Sequence, residues 1–416
     1  IVDCDWSSDV CSSDLGISAS GWLVPRAELF DFKRVNPTHT LKNQGETKVE
    51  IKNLLKASVA VGALLALAAP VDAVAGGKVS ANNSKTDLTI GGRVHRTIHY
   101  IDDGEHDAVF QGAGISSNSE MWLTGSGKLT ESVTMGAYMR WDMPKNQATH
   151  SFNSSTGAAT TADASQGAND KYEYIYFKHA SMGTLSMGDI EPGADGTMES
   201  NYMGVAGKDG ASLSSVRVRT NANGDFGALA TAFVGTIDPG ADANRVRYDS
   251  ASFSGFSVHG DLEYGGGGSV GVKYSGTVAG LTLKAGIGYE ADGGGTNIKG
   301  GSVAVKHSSG LHLAGNIGKQ DADNSNVDPD WWRVAGGYDA KMNSLGNTNF
   351  TVAYSEKSDE TVVGYQGEML QLAVKQSLDA VGGAIVLQYD NYSFSDAAAT
   401  GLKDIDTVVL ETSFNF

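Results

Sequence analysis

The last nine residues, Val408 to Phe416, alternate strictly. Val408, Leu410, Thr412, Phe414 and Phe416 share one parity, and Val409, Glu411, Ser413 and Asn415 share the other. A period of two puts successive side chains on opposite faces, so this stretch reads as a strand with one apolar and one polar face. The pattern runs to the final residue, and that residue is aromatic. A soluble protein gains little from a frayed terminal aromatic. A closed barrel, by contrast, needs its last strand intact, because pairing it with the first removes the sheet edge. An ordinary amphipathic edge strand would alternate in the same way, so the rest of the chain has to decide.

The alternation recurs along the chain. Leu88, Ile90, Val94, Ile98 and Tyr100 oppose Thr89, Arg93, His95, Thr97 and His99. Val133, Met135, Ala137, Met139 and Trp141 oppose Thr134, Tyr138, Arg140 and Asp142. Leu281, Leu283, Ile287 and Tyr289 oppose Lys284 and Glu290, and Leu370, Leu372 and Val374 oppose Gln371 and Lys375. Short connections, such as Ser181-Met182-Gly183 and Thr277–Gly280, alternate with long polar ones at Lys145–Asp170, Gln320–Asp330 and Lys357–Gln366. Short turns at one end and long loops at the other mark a transmembrane barrel. The repeats continue without a domain break, beyond the usual size of one β-sandwich. Strict alternation gives 18 strands; two of them, Ser212–Thr220 and Phe226–Phe233, also read as part of a long inserted loop, which leaves 16. The expected fold is therefore all-β, a transmembrane antiparallel barrel of 16 strands with 18 as the alternative. Tyr and Trp residues near segment ends (among them Tyr100, Tyr172, Tyr174, Tyr176, Trp331, Trp332 and Tyr389) are expected to form interfacial girdles.

Mean hydropathy is slightly negative, and no apolar run after residue 75 approaches the length of a spanning helix. Glycine is abundant, at 54 residues. The front end reads differently from the rest. Residues 5–15 resemble a translated sequencing-library adapter, and both cysteines, Cys4 and Cys11, lie in or beside that stretch. Residues 1–48 are therefore expected to be a non-native or untranslated leader. Gln44-Gly45-Glu46 can be encoded by a purine-rich ribosome-binding box, with Val49 as a GTG start. Residues 49–75 read as a secretory signal: basic Lys52 and Lys56, an apolar run from Ala57 to Ala69, then Ala73-Val74-Ala75 as a small-residue cleavage motif. Cleavage is expected after Ala75, leaving 76–416 as the mature domain. A mature chain without cysteine suits passage through an oxidising periplasm. The formal charge of the whole chain is −17, and the acidic excess persists after residue 75, which argues against a nucleic-acid partner.

The terminal Phe416, with Phe414 two residues before it, resembles the C-terminal assembly signal of bacterial outer-membrane barrels. Further pieces resemble the Gram-negative general diffusion porins. They are Leu88–Asp103 ending Tyr100-Ile-Asp-Asp-Gly104, Leu123-Thr-Gly-Ser-Gly-Lys-Leu129, Gly183-Thr-Leu-Ser-Met-Gly188-Asp189, and Asn244 through Val258. The resemblance implies a 16-stranded homotrimer in the outer membrane, delivered by periplasmic chaperones and the barrel assembly machinery. It implies a water-filled channel for ions and small hydrophilic solutes. It also implies a third loop folded into the lumen, beginning here at Asp189 and extending to about Ala243.

A diffusion pore needs a constriction whose transverse field sorts solutes by charge. The expected acidic side is Asp189, Glu191, Asp195 and Glu199, early in that loop. The expected basic side comes from the polar parity of the strands: Arg93, Arg140, Arg245, Arg247, Lys273, Lys284, Arg333 and Lys375. No cofactor, no metal and no enzymatic activity are expected. Gly266-x-Gly268-x-x-Gly271 has no helix after it and is not a dinucleotide fingerprint. Asp321-x-Asp323-x-Ser325 lacks the glycine and glutamate of a calcium loop, and the histidines have no metal-ligand spacing on a helix. A substrate-specific channel and a non-conducting structural or adhesive barrel are the alternative readings. Genomic DNA should show GTG at Val49 behind a purine-rich box; any other codon there contradicts the assigned start.

Overall fold

The computed structural model describes residues 79–80, 85–112, 114–143, 150–153, 158–161, 168–205, 213, 216–222, 224–323, 326–397 and 401–416. The expected leader, the signal segment and the cleavage point at Ala75 lie outside these residues.

Sixteen strands form the wall. The first is β1, Asp87–Asp102, and β2 comes in two segments, Asp107–Gly112 and Glu120–Lys128. Then follow β3 (Val133–Asp142), β4 (Asn169–His179), β5 (Gly183–Ile190) and β6 (Ala243–Ser250). Next are β7 (Phe256–Glu263), β8 (Gly268–Val278), β9 (Leu281–Ala291) and β10 (Thr296–His307). The last six are β11 (Leu311–Ala322), β12 (Asp330–Ala340), β13 (Thr348–Ser358), β14 (Tyr365–Leu378), β15 (Gly383–Asp396) and β16 (Ile405–Asn415). Each strand runs antiparallel to the next, and β16 pairs with β1 from Arg93↔Asn415 to Asp102↔Asp406, which closes the ring. The two doubtful segments of the 18-strand count, now Arg217–Arg219 and Asp225–Leu229, pair with each other as a separate hairpin. A second small hairpin, His150–Asn153 with Ala158–Thr161, lies in the β3–β4 connection.

Side-chain polarity is inverted relative to a soluble protein. Outward positions carry exposed apolar residues such as Ile90, Val94 and Ile98 on β1, Val270 on β8, Ile287 on β9, and Leu370, Leu372 and Val374 on β14. Inward positions carry polar residues that are nonetheless covered: His95, Thr97 and His99 on β1, Asn316 on β11, Asn349 and Thr351 on β13, and Gln371 on β14. An apolar belt outside and a polar lumen inside are the mark of a membrane barrel. No described helix is long and apolar enough to cross a membrane. The β4–β5, β8–β9, β10–β11 and β14–β15 connections are short turns at the end that holds Phe416, and the long 143–168 and 191–242 connections lie at the other.

Closure depends on the last residues. Beyond the β16 ladder, Gly92 N donates to Phe416 O and Phe416 N donates to Gly92 O, both at 2.9 Å. Gly92 leaves room for the terminal ring, since a Cβ there would lie 2.4 Å from Phe416 Cζ. The seam is also tied from within. Glu411 on β16 is buried, His95 Nδ1 on β1 lies 2.8 Å from its Oε1, and the Ile115 and Ser116 amides donate to its Oε2 at 2.7 and 3.0 Å. Those two amides belong to the break between the two segments of β2, so the break brings backbone donors to the seam. A buried carboxylate is tolerated when its lone pairs are filled in this way. Deleting Phe416, or making Gly92→Val, should reduce the heat-modifiable barrel in outer-membrane fractions while leaving the conductance of inserted molecules unchanged. Wild-type barrel levels in both variants would contradict this role.

Candidate pore constriction

The described residues of the connection between β5 and β6, within 191–242, lie against the inner wall. Their backbone is held by wall side chains of strands between β7 and β13. Gly193 N donates to Asp261 Oδ2 on β7 (2.7 Å) and Ala194 N to Ser269 Oγ on β8 (2.9 Å). Ser200 N donates to Ser302 Oγ on β10 (3.0 Å), Asn316 Nδ2 on β11 donates to Met198 O (2.9 Å), and Gly204 N donates to Asn349 Oδ1 on β13 (2.9 Å). Loop backbone with no ladder of its own must find partners where water is excluded, and the polar inward positions supply them.

The wall is carved to let the loop lie close. On the inward parity of β8 and β9, Gly271, Gly286 and Gly288 all face Thr197. A Cβ at Gly286 would lie 2.4 Å from Thr197 O, and one at Gly288 would lie 2.2 Å from Thr197 Oγ1. On β11, a Cβ at Gly318 would lie 2.5 Å from Ile237 O as the loop returns. Part of the abundance of glycine therefore serves close approach rather than turns.

The middle of the loop is anchored differently. The Arg217–Arg219/Asp225–Leu229 hairpin and the short 3-10 turn Ala230–Ala232 bring Leu213, Val216, Val218, Phe233 and Val234 against Ile101, Phe110, Met369, Tyr392, Phe394 and Ile405 on the inner wall. Phe233 stacks on Tyr365 at 4.3 Å between centroids. Arg219 Nε donates to Asp103 Oδ2 at 3.0 Å, with both side chains almost wholly buried. Removing one partner of such a pair costs about 3–5 kcal/mol, because the other charge is left stranded.

The residues expected to form the basic side have different partners. Arg245, Arg247, Lys273 and Lys284 hold the loop. Arg245 is buried among Asp261, Glu263 and Glu290 and donates to Ala241 O (2.9 Å). Arg247 Nη1 donates to Glu191 O (3.0 Å) and Pro192 O (3.1 Å). Lys273 Nζ donates to Asp195 O (2.5 Å), and Lys284 Nζ sits 4.6 Å over the Tyr202 ring. Arg93 and Arg140 instead converge on Glu120, a carboxylate that alternation alone does not single out. Arg93 and Lys375 line one cavity of about 390 Å³. Arg333 is buried, 6.0 Å from the Trp331 ring.

On the acidic side, Glu191, Asp195 and Glu199 lie on the loop, but Asp189 is set apart. It falls on the parity of the exposed Leu185 and Met187, with Glu173 and Asn244 as its cross-strand partners. Asp238, on the returning limb, takes its place in the group. It accepts the Gly196 and Met198 amides, both at 2.9 Å. Burial, together with the Glu191 and Glu199 charges, pushes the Asp195 carboxyl up to about 7. Burial and the Glu199 charge push Asp238 up to about 8, against the lowering effect of its two amide donors. No group of metal-ligating side chains is present among the described residues.

The wall from β3 to β6 carries the loop at its last residues, Ala241 and Asp242, through Arg245 and Lys171, and at its first turn, Glu191 and Pro192, through Tyr172 and Arg247. There Tyr138, Tyr172, Tyr174 and Tyr176 line a cavity of about 470 Å³ with Arg247, Asp249 and Glu191. These tyrosines face the lumen rather than the membrane interface, and Trp331 is likewise inward and buried. The expected girdle role fails for them because parity outranks position: Ile175 and Phe177 take the outward side of β4, leaving Tyr172, Tyr174 and Tyr176 inside.

A closed barrel with an apolar exterior, a polar lumen and an inward-folded loop defines a channel-forming outer-membrane protein. The profile of the Gram-negative porin family matches residues 57–406, and the chain belongs to that family. No curated protein matches it. Similar solved structures include OmpT of Vibrio cholerae in its trimer form (12% identity, 80% of this chain and 99% of that one, TM-score 0.53). They also include the anion-selective porin of Comamonas acidovorans (15%, 80% and 100%, TM-score 0.52) and the outer-membrane channel DcaP of Acinetobacter baumannii (13%, 82% and 100%, TM-score 0.53). At these identities the likeness establishes the fold.

The acidic group gives a pH dependence with a definite sign. Asp195 and Asp238 are ionised above their raised values and neutral below them, so the loop gains negative charge as pH rises from 6 to 9. The cation-to-anion permeability ratio should rise over that interval, and Asp238→Asn should remove the upper part of the rise. A flat ratio in the unaltered protein would contradict the assignment.

Proposed function

We propose that this porin's passive channel for ions and small hydrophilic solutes is narrowed by a charged constriction. Glu191, Asp195, Glu199 and Asp238 on the third loop supply the negative side; Arg93, Arg140 and Lys375 on the wall supply the positive side. The observation that carries the reading is the attachment of the loop inside a polar lumen, at intervals from β7 to β13, so that its carboxylates are held at fixed positions. Opposed charges in a narrow aqueous passage create a transverse field that orders water and discriminates by charge. Arg245, Arg247, Lys273 and Lys284 act by positioning the loop.

The trimer form of the Vibrio cholerae relative supports a homotrimer here as well. Delivery through an N-terminal signal cleaved after Ala75, handling by periplasmic chaperones and insertion by the barrel assembly machinery complete the reading. The protein acts as a channel rather than as an enzyme.

In planar bilayers, the triple variant Glu191→Gln/Asp195→Asn/Glu199→Gln should lower cation preference, measured as the reversal potential across a salt gradient. Asp189→Asn alone should leave it unchanged. An unchanged reversal potential in the triple variant would refute the acidic side of the constriction.

A further inference from the structure

The tyrosine wall is unlike the rest of the lumen. Elsewhere the inward positions are polar groups engaged with the loop or with one another, or apolar side chains covered by the loop around Phe233. On β3 and β4 four aromatic rings instead face a cavity of about 470 Å³. Tyr138 lies 5.4 Å from Tyr174 and 6.3 Å from Tyr172, and Tyr174 lies 6.4 Å from Tyr176. Room for the rings is built into the wall: Gly136 is the inward residue beneath Tyr176, where a Cβ would lie 2.3 Å from the ring. Alternate residues of a strand are about 7 Å apart, so the three β4 rings extend over about 14 Å along the wall.

Charge in the cavity balances, with Lys178 and Arg247 set against Glu191 and Asp249. Arg247 is engaged by Asp249 and by two loop carbonyls, Asp249 also pairs with His259, and Glu191 accepts from the Tyr172 hydroxyl. Arg140 lies 4.9 Å over the Tyr172 ring and is held by Glu120. The surface that remains combines aromatic faces, fixed hydrogen-bonding groups and little net charge. A neutral ring compound with an apolar face and a rim of hydroxyls matches both parts, since its C–H face packs on the rings while its hydroxyls meet the polar groups.

We propose that the Tyr138, Tyr172, Tyr174 and Tyr176 wall is a solute-binding track for short neutral oligosaccharides. The track deepens the porin reading and rests on it: the channel conducts ions passively and also binds sugars in transit.

The test is single-channel recording of the full mature protein in planar bilayers with maltotriose on one side, and glycerol at matched viscosity as control. Maltotriose should reduce the ion current saturably, whereas glycerol should reduce it only in proportion to viscosity. The double variant Tyr138→Ala/Tyr174→Ala should keep an open channel yet weaken the apparent maltotriose affinity by about tenfold, the size expected for losing two ring contacts. Tyr174→Phe keeps the ring and should retain affinity close to that of the unaltered protein. A maltotriose effect no larger than that of glycerol, or one equal in the double-alanine variant, overturns the track. Absence of any channel in the unaltered protein would instead overturn the porin reading.

Discussion

In a bilayer core there is no water to satisfy an unpaired strand edge, so the sheet has to close on itself. The architecture follows from that requirement. Closure joins β16 to β1, and the joint is completed by the last residue, whose amide and carbonyl both pair with Gly92. The seam is reinforced inside by Glu411, which accepts from the strand break of β2 and lies against His95. The apolar alternation of β16 and the pairing of Phe416 with Gly92 therefore express one constraint.

Closure creates a second problem, because an inward row of polar side chains must find partners. The third loop resolves it. Asp261, Ser269, Ser302, Asn316 and Asn349 each hydrogen-bond the loop backbone, while Gly271, Gly286, Gly288 and Gly318 let that backbone lie against the wall. The apolar cluster around Phe233 and the buried Arg219–Asp103 pair secure the middle of the loop. Each polar contact adds only about 0.5–1.5 kcal/mol on its own. Many of them in series keep the loop in place and its carboxylates in the lumen.

Alternation made the strands, their faces and the hairpin-or-strand ambiguity at 212–233 legible in the sequence, because a strand's period depends on local geometry alone. The site was less legible. Arg245, Arg247, Lys273 and Lys284 share the inward parity as expected, yet all four donate to backbone carbonyls of the loop, contacts that depend on the path of a distant segment. Asp238 carries no periodic signal, and it joins Asp195 and Glu199 only because the loop returns past Gly196 and Met198. The inward tyrosines are a different case. Ile175 and Phe177 fix the face of β4, so parity already places Tyr172, Tyr174 and Tyr176 inside, against the expectation that aromatic residues near strand ends mark the interface.

The central claim is that the third loop is a fixed part of the wall. Backbone amide hydrogen exchange of the folded barrel, followed by mass spectrometry, tests it most directly. The account predicts that the amides of Gly193, Ala194, Ser200 and Gly204 exchange as slowly as those in β8–β11. Exchange of these four as fast as in the 359–364 connection would contradict it.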